Sequence, residues 1–242
     1  MSVFTDKWID EHKDELVEKL QQCVRINSVR DDGSAREGAP FGEGAAKCLE
    51  DTLNTAKAMG FEVKNLDGYC GTVDYGMGEE QLGILAHLDV VPEGEGWTYP
   101  PYAAEIHDGR LYGRGTMDDK GPAFAALFGL AAVKASGVET KRRVRLILGC
   151  DEECGMGCLH HYNEVEKAPD MCFSPDASYP LVNSEKMIYN SAYRKEYASS
   201  VRVKAGTVSN AVPGKAEVYV PVSADEVKAA VAKLNNADFT YN

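Results

Sequence analysis

Three short apolar runs end in groups that can bind a cation or move a proton. Leu82–Ala86 leads into His87-Leu-Asp89, Val144–Leu148 leads into Asp151-Glu152-Glu153, and Met171–Phe173 leads into Pro175-Asp176. If these runs are strands of one open α/β sheet, their carboxyl ends face the crevice where ligands bind, and groups distant in sequence converge. Carboxylates held within a few ångströms of one another raise each other's pKa values and strain the fold unless a cation lies among them. One histidine with several carboxylates and no cysteine suits zinc first, with manganese or cobalt as alternatives, and suits calcium poorly.

His87 and Asp89 are two residues apart, so on an extended strand their side chains emerge on the same side. The carboxylate can then accept the second imidazole N–H and fix the tautomer of a metal-bound histidine. Adjacent Glu152 and Glu153 suit a division of labour in which one binds metal and the other moves protons. Taken singly these signals are weak, because a His beside an Asp is as often an exposed pair and a Glu pair is ordinarily a solvated face. The uncharged run from Leu146 to Gly149 and the coincidence of three strand ends shift the balance toward a site. The segment Gly113-Arg-Gly-Thr-Met-Asp118-Asp119-Lys120-Gly121 reads as a loop entering a buried helix, without the spacing of a phosphate-binding loop.

The elements that must position these groups are legible from periodicity. Trp8, Leu16, Leu20 and Val24 recur at helical spacing over about 4–26, and Ala45, Leu49, Leu53 and Ala56 mark a second helix stopped by Gly60. Phe61–Val63 and Thr72–Tyr75 read as strands, and Leu82–Ala86, with no polar residue, as a central one. Ala103–Ile106 and Arg110–Tyr112 flank His107-Asp108-Gly109, a hairpin by its Asp-Gly signal. Gly121–Ser136 is an alanine- and leucine-rich buried helix ended by Gly137. Alternating strand, helix and strand predicts an α/β fold, a mostly parallel sheet flanked by helices. From about Tyr189 the pattern changes to alternating polar and apolar residues, and Ser223 with Glu226 forms a capping box before another helix. The expected division is 1–188 for the first domain and 189–242 for the beginning of an α+β second one.

Composition narrows the function classes. A net charge of −12 repels nucleic acid and anionic membrane surfaces and suits cationic ligands, metals included. No apolar run approaches the roughly 18–20 residues of a membrane span, and the charged start lacks a secretory signal, so the expected location is the cytoplasm. Seven cysteines fit reduced thiols better than a disulfide framework. Cys150, Cys154 and Cys158 match no common metal signature and are expected to be small buried or half-buried side chains.

HLDVVPEGEGW, YGRGTMDDKGP, the DEE of 151–153 and SPDASYP, in that order, resemble the metal-dependent family of dipeptidases, carnosinases, acetylornithine deacetylases and succinyl-diaminopimelate desuccinylases. The fit is nearest to the bacterial Xaa-His dipeptidases and runs from the first helix to about Pro213. The resemblance implies a zinc-exopeptidase-like catalytic domain and the start of a lid domain. It also implies that His87 and Asp176 hold one zinc, Glu153 holds another, and Asp118 bridges both and precedes a cis peptide, with Asp119 the weaker candidate. Asp89 would orient His87, Glu152 would be the general base, and Asn210 would lie near a small peptide substrate. The implied reaction is dipeptide hydrolysis, with removal of acetyl or succinyl groups from amino acids as the alternative.

The family completes its second metal site with a histidine after the lid. His12, His107 and His160-His161 sit in a helix, a hairpin and a further helix and are poor substitutes. The expectation is therefore that this chain is the N-terminal half of such an enzyme, binds one metal at best, is poorly active or inactive, and tends to self-associate through the face that the missing half would cover. A non-catalytic fragment is the remaining alternative.

Overall fold

The computed structural model describes residues 3–178, 182, 184, 191–194, 200–206 and 214–233. Its first elements are helices α1 (Val3–Val24) and α2 (Glu43–Ala58), then strands β1 (Glu62–Leu66), β2 (Cys70–Tyr75) and β3 (Gln81–His87). A hairpin of β4 (Glu105–His107) and β5 (Arg110–Tyr112) precedes α3 (Lys120–Ala135), β6 (Arg143–Gly149), α4 (Gly157–Val165) and β7 (Met171–Phe173). The sheet order is β1-β2-β6-β3-β7. Strands β3, β6 and β7 are mutually parallel and β2 is antiparallel to β1 and β6, so β1, β3, β6 and β7 run one way and β2 the other.

Strand β6 lies at the middle of that order and is buried from Arg145 to Gly149, which accounts for its near-continuous apolar run. Its register with β3 pairs Ile84 with Leu146 and His87 with Gly149, so the two strands deliver their following residues to the same end of the sheet. Helix α2 buries Ala45, Cys48, Leu49, Leu53 and Ala56, a stripe at helical period. It lies close to β2 because Gly71 has no side chain: a Cβ there would come 2.8 Å from a Leu49 methyl and 2.9 Å from a Leu53 methyl. Helix α3 buries Ala123, Phe124, Leu127, Phe128 and Ala131, and it joins one core with Leu20, Cys23 and Val24 of α1. Its stop is Gly137, in the left-handed region at φ 70°.

The sequence reading needs adjustment at three places. The turn between β4 and β5 is the two-residue Asp108-Gly109, both at positive φ (50° and 72°), and His107 belongs to the strand opposite Arg110. Strand β1 runs on through polar Lys64 and Asn65, because an edge strand wet on one side tolerates them while its backbone pairs with β2. Cys150 and Cys158 are buried as expected, but Cys154 is exposed, on the turn between β6 and α4. All seven cysteines are free thiols.

The chain divides into two compact units, Met1–Ser184 and Glu185–Asn242. The described part of the second is a hairpin of β8 (Arg202–Ala205) and β9 (Ala216–Tyr219), and helix α5 (Ala224–Val231). Ser223 and Glu226 cap α5 reciprocally, the pattern read from the sequence. Among the described residues no helix is long and apolar enough to cross a membrane.

Candidate metal centre

His87, the last residue of β3, is 2% exposed. Its Nδ1 lies 3.0 Å from the carbonyl oxygen of Asp89, which can only accept, so Nδ1 carries the proton. The other ring nitrogen, Nε2, faces a set of acids: Asp118 Oδ1 at 3.1 Å, Asp176 Oδ2 at 3.4 Å and Glu152 Oε2 at 4.0 Å, so in the neutral imidazole its lone pair would point at carboxylate oxygens. Acceptors facing acceptors repel. That arrangement is stable only with a proton or a cation among them.

The acids are delivered by three separate segments. Asp176 follows β7, Glu152 and Glu153 sit on the turn after β6, and Asp118 and Asp119 close the loop before α3, joined by a cis peptide. Two groups have ligand atoms all within 4.8 Å of one another: His87, Asp118 and Glu153, and His87, Asp119 and Asp176. The structure thus gathers His87, Asp118, Glu153 and Asp176, all singled out in the sequence, and adds Asp119, the weaker candidate. Asp119 is fully buried; its Oδ2 accepts the His87 backbone N–H at 2.9 Å, and its Oδ1 has no hydrogen-bond partner. An orphaned buried carboxylate oxygen beside a histidine and further acids fits a divalent cation, and the all-oxygen-and-imidazole donor set fits zinc, manganese or cobalt.

Asp89 lies at the Nδ1 of His87 through both its carbonyl and its carboxylate. Its backbone carbonyl, rather than its carboxylate, makes the shorter contact with the imidazole, the carboxylate lying 3.4 Å from Nδ1. The carboxylate instead accepts the backbone N–H groups of Glu152 and Glu153, both at 3.1 Å, and so pins the turn after β6 to the end of β3. Asp151, 2% exposed, braces the same turn by accepting from Arg30 Nη1 at 2.9 Å and Gly157 N at 3.0 Å. Asn210 lies outside the described residues.

Electrostatics follow from this crowding. Burial disfavours a charged His87, yet Asp89, Asp119 and Glu152 outweigh it and push the imidazole up to about 10. Burial, then the neighbouring acids, raise Glu153 to about 7 and raise Glu152 in the same direction. Burial likewise lifts Asp119 to about 7. The site as a whole holds protons that a cation would displace.

Three buried or half-buried cations to which the sequence reading gave no role are Arg30, which bonds Asp151 beside the site, Lys120, which bonds the Cys23 and Ile26 carbonyls, and Arg145, which bonds Asp74 and Glu166. Arg145 is a charge between the apolar residues Val144 and Leu146 of a buried strand and Lys120 opens a buried helix; those anomalies were the available signals. His12, His107 and His161 pack on Trp8, Tyr99 and Tyr69, respectively, and none joins either acid group among the described residues.

The model of Peptidase family M20/M25/M40 matches residues 83–235, a span that contains His87, the acids and both units' described strands from β3 onward. "Putative dipeptidase YtjP" of Bacillus subtilis (strain 168) is 42% identical over 216 residues, covering 86% of this chain and 47% of that protein. "Beta-Ala-Xaa dipeptidase" of Lactobacillus delbrueckii subsp. lactis is 38% identical over 209 residues, covering 83% and 44%. The chain spans about half the length of the curated relatives it matches. The solved structure of human carnosine dipeptidase 1 superposes with a TM-score of 0.56 at 26% identity, over 66% of this chain and 37% of that one.

Proposed function

This chain belongs to peptidase family M20/M25/M40, and from that membership we propose that it supplies the metal-holding and proton-moving residues of a dipeptidase. The observation that carries the reading is the Nε2 of His87 facing Asp118 at 3.1 Å and Asp176 at 3.4 Å. In this reading His87, Asp176, Glu153 and Asp118 would hold the zinc, His87 and Asp176 one ion and Glu153 a second, with Asp118 a ligand shared by both. When bound, the ions supply Lewis-acid polarisation of the scissile carbonyl and lower the pKa of the attacking water.

The chain's own residues do the rest. Glu152, its carboxyl raised by burial, accepts a proton from the attacking water and later delivers it to the leaving amine as the C–N bond breaks. Asp89 keeps Glu152 and Glu153 in register by holding their backbone N–H groups, and its carbonyl fixes the His87 tautomer. The names of the relatives, "Putative dipeptidase YtjP" and "Beta-Ala-Xaa dipeptidase", support a small peptide as substrate over an acylated amino acid. Asn210 is assigned, by the same resemblance, to the substrate side.

The test is zinc affinity of the chain beside His87→Ala and Asp176→Ala. Binding of one ion that either substitution abolishes is expected; parent-like affinity in either variant removes the assignment. With cobalt(II) in place of zinc, a dipeptide should perturb the visible spectrum. A response to N-acetyl or N-succinyl amino acids with none to dipeptides would replace the dipeptidase reading by deacylation.

A further inference from the structure

Lys120, the first residue of α3, is fully buried. Its ammonium donates to the carbonyl oxygens of Cys23 at 3.1 Å and Ile26 at 2.8 Å, at the C-terminal end of α1. Cations are favoured there by the helix dipole, and the Cys23 carbonyl, which also accepts the Ile26 N–H, has a second lone pair for the ammonium. Even so, a buried charge bound only to neutral groups is costly compared with an apolar side chain of the same size. The surroundings are shaped around it: a Cβ on Gly115 would come 3.0 Å from the Lys120 Cδ, and one on Gly121 would collide with the Thr116 carbonyl. The residues immediately before Lys120 are Asp118 and Asp119, and Asp119 Oδ2 holds the backbone N–H of His87. A continuous set of bonds therefore runs from the end of α1 through Lys120 and Asp119 to the end of β3.

We propose that Lys120 is a positioning residue of the metal centre: by tying the end of α1 to the start of α3 it holds Asp118 and Asp119 against His87. The inference rests on the metal-binding reading given above. It differs from a purely structural role in what it predicts when the charge is replaced by an apolar side chain of similar length. Lys120→Met roughly keeps the packing volume and removes the charge together with its two bonds.

The experiment measures zinc affinity by competition and the cobalt(II) visible spectrum, together with far-UV circular dichroism and Tm, for the parent chain, Lys120→Met, Lys120→Gln and a control. The control is Leu20→Ala, which opens a cavity in α1 near Gly121 without touching the acids. The expected result is a native fold for Lys120→Met, zinc bound about tenfold or more weakly, the loss typical of a partner behind the ligands, and an altered cobalt spectrum. Leu20→Ala should lower Tm and leave affinity and spectrum unchanged. Parent-like affinity in folded Lys120→Met or Lys120→Gln overturns the proposal. So does an affinity loss in Leu20→Ala matching its loss of Tm, and so does failure of both Lys120 variants to fold while Leu20→Ala folds. A parent chain that binds no metal overturns the metal-binding reading as well, whereas the other outcomes bear on Lys120 alone.

Discussion

Asp89 shows how much one side chain can decide. It is 2% exposed, and its two carboxylate oxygens are both committed to backbone N–H groups of the turn that carries Glu152 and Glu153. Removing an acceptor and leaving a donor unsatisfied costs about 1–3 kcal/mol. Asp89→Ala should therefore lower the urea-unfolding free energy by at least that amount and weaken metal binding in parallel, because the turn loses its anchor. A change within about 0.5 kcal/mol, the ordinary scatter of surface substitutions, would mean that the turn is held by Asp151 and Arg30 alone. The pair His87-x-Asp89 was legible as one unit in the sequence. The division of Asp89 between its carbonyl and its carboxylate was not, because the partners of the carboxylate lie 63 and 64 residues away.

At the scale of elements, Arg145 joins β2, β6 and α4. It pairs bidentately with Asp74, directly opposite it in the sheet register, at 2.7 and 2.8 Å, and with Glu166 beyond α4 at 2.7 Å. With Arg145 2% exposed, removal of Asp74 breaks a buried pair and leaves Glu166 as the remaining carboxylate partner; breaking a buried pair typically costs about 3–5 kcal/mol. Asp74→Ala should show a loss of that order in chemical denaturation, and Asp74→Leu with Arg145→Met together should recover much of it. Glu166 gives a pH dependence. The bond from Arg145 holds its carboxyl below the ordinary range against the opposing effect of burial, with Lys64 adding to it. A carboxyl depressed in the folded state stabilises it fully above the ordinary glutamate pKa, and that contribution fades as pH falls through the folded value. Stability plotted against pH should thus fall on the acid side less steeply in Glu166→Gln than in the parent; equal slopes would show that the pair contributes nothing.

For the whole molecule, the expected consequence of the acid cluster is linkage between metal and stability. An ion that binds only the folded state at about 100 times its dissociation constant adds about 2.7 kcal/mol. Zinc should accordingly raise the Tm of the first unit, a chelator should reverse the rise, and His87→Ala should abolish it. Both tryptophans, Trp8 and Trp97, lie in that unit, so intrinsic fluorescence follows its unfolding. A Tm indifferent to zinc would remove the ion from the account of the acids. The net charge of −12 acts in the same direction, attracting cations to the chain, and added salt should weaken that attraction.

Period and punctuation in the sequence determined the helices α1, α2 and α3, the buried strands β3 and β6 and the Asp-Gly turn, because each depends on residues within a few positions of one another. The ordered motifs determined the family and named His87, Asp118, Glu153 and Asp176 before any geometry was known. Only the tertiary structure decided that Asp119 turns inward to the backbone of His87, that Asp89 spends its carboxylate on the turn after β6, and that Lys120 reaches the end of α1. The physical reason is the same in each case. A carboxylate or an ammonium chooses its partner by distance and desolvation in the folded chain, and linear spacing carries no record of either.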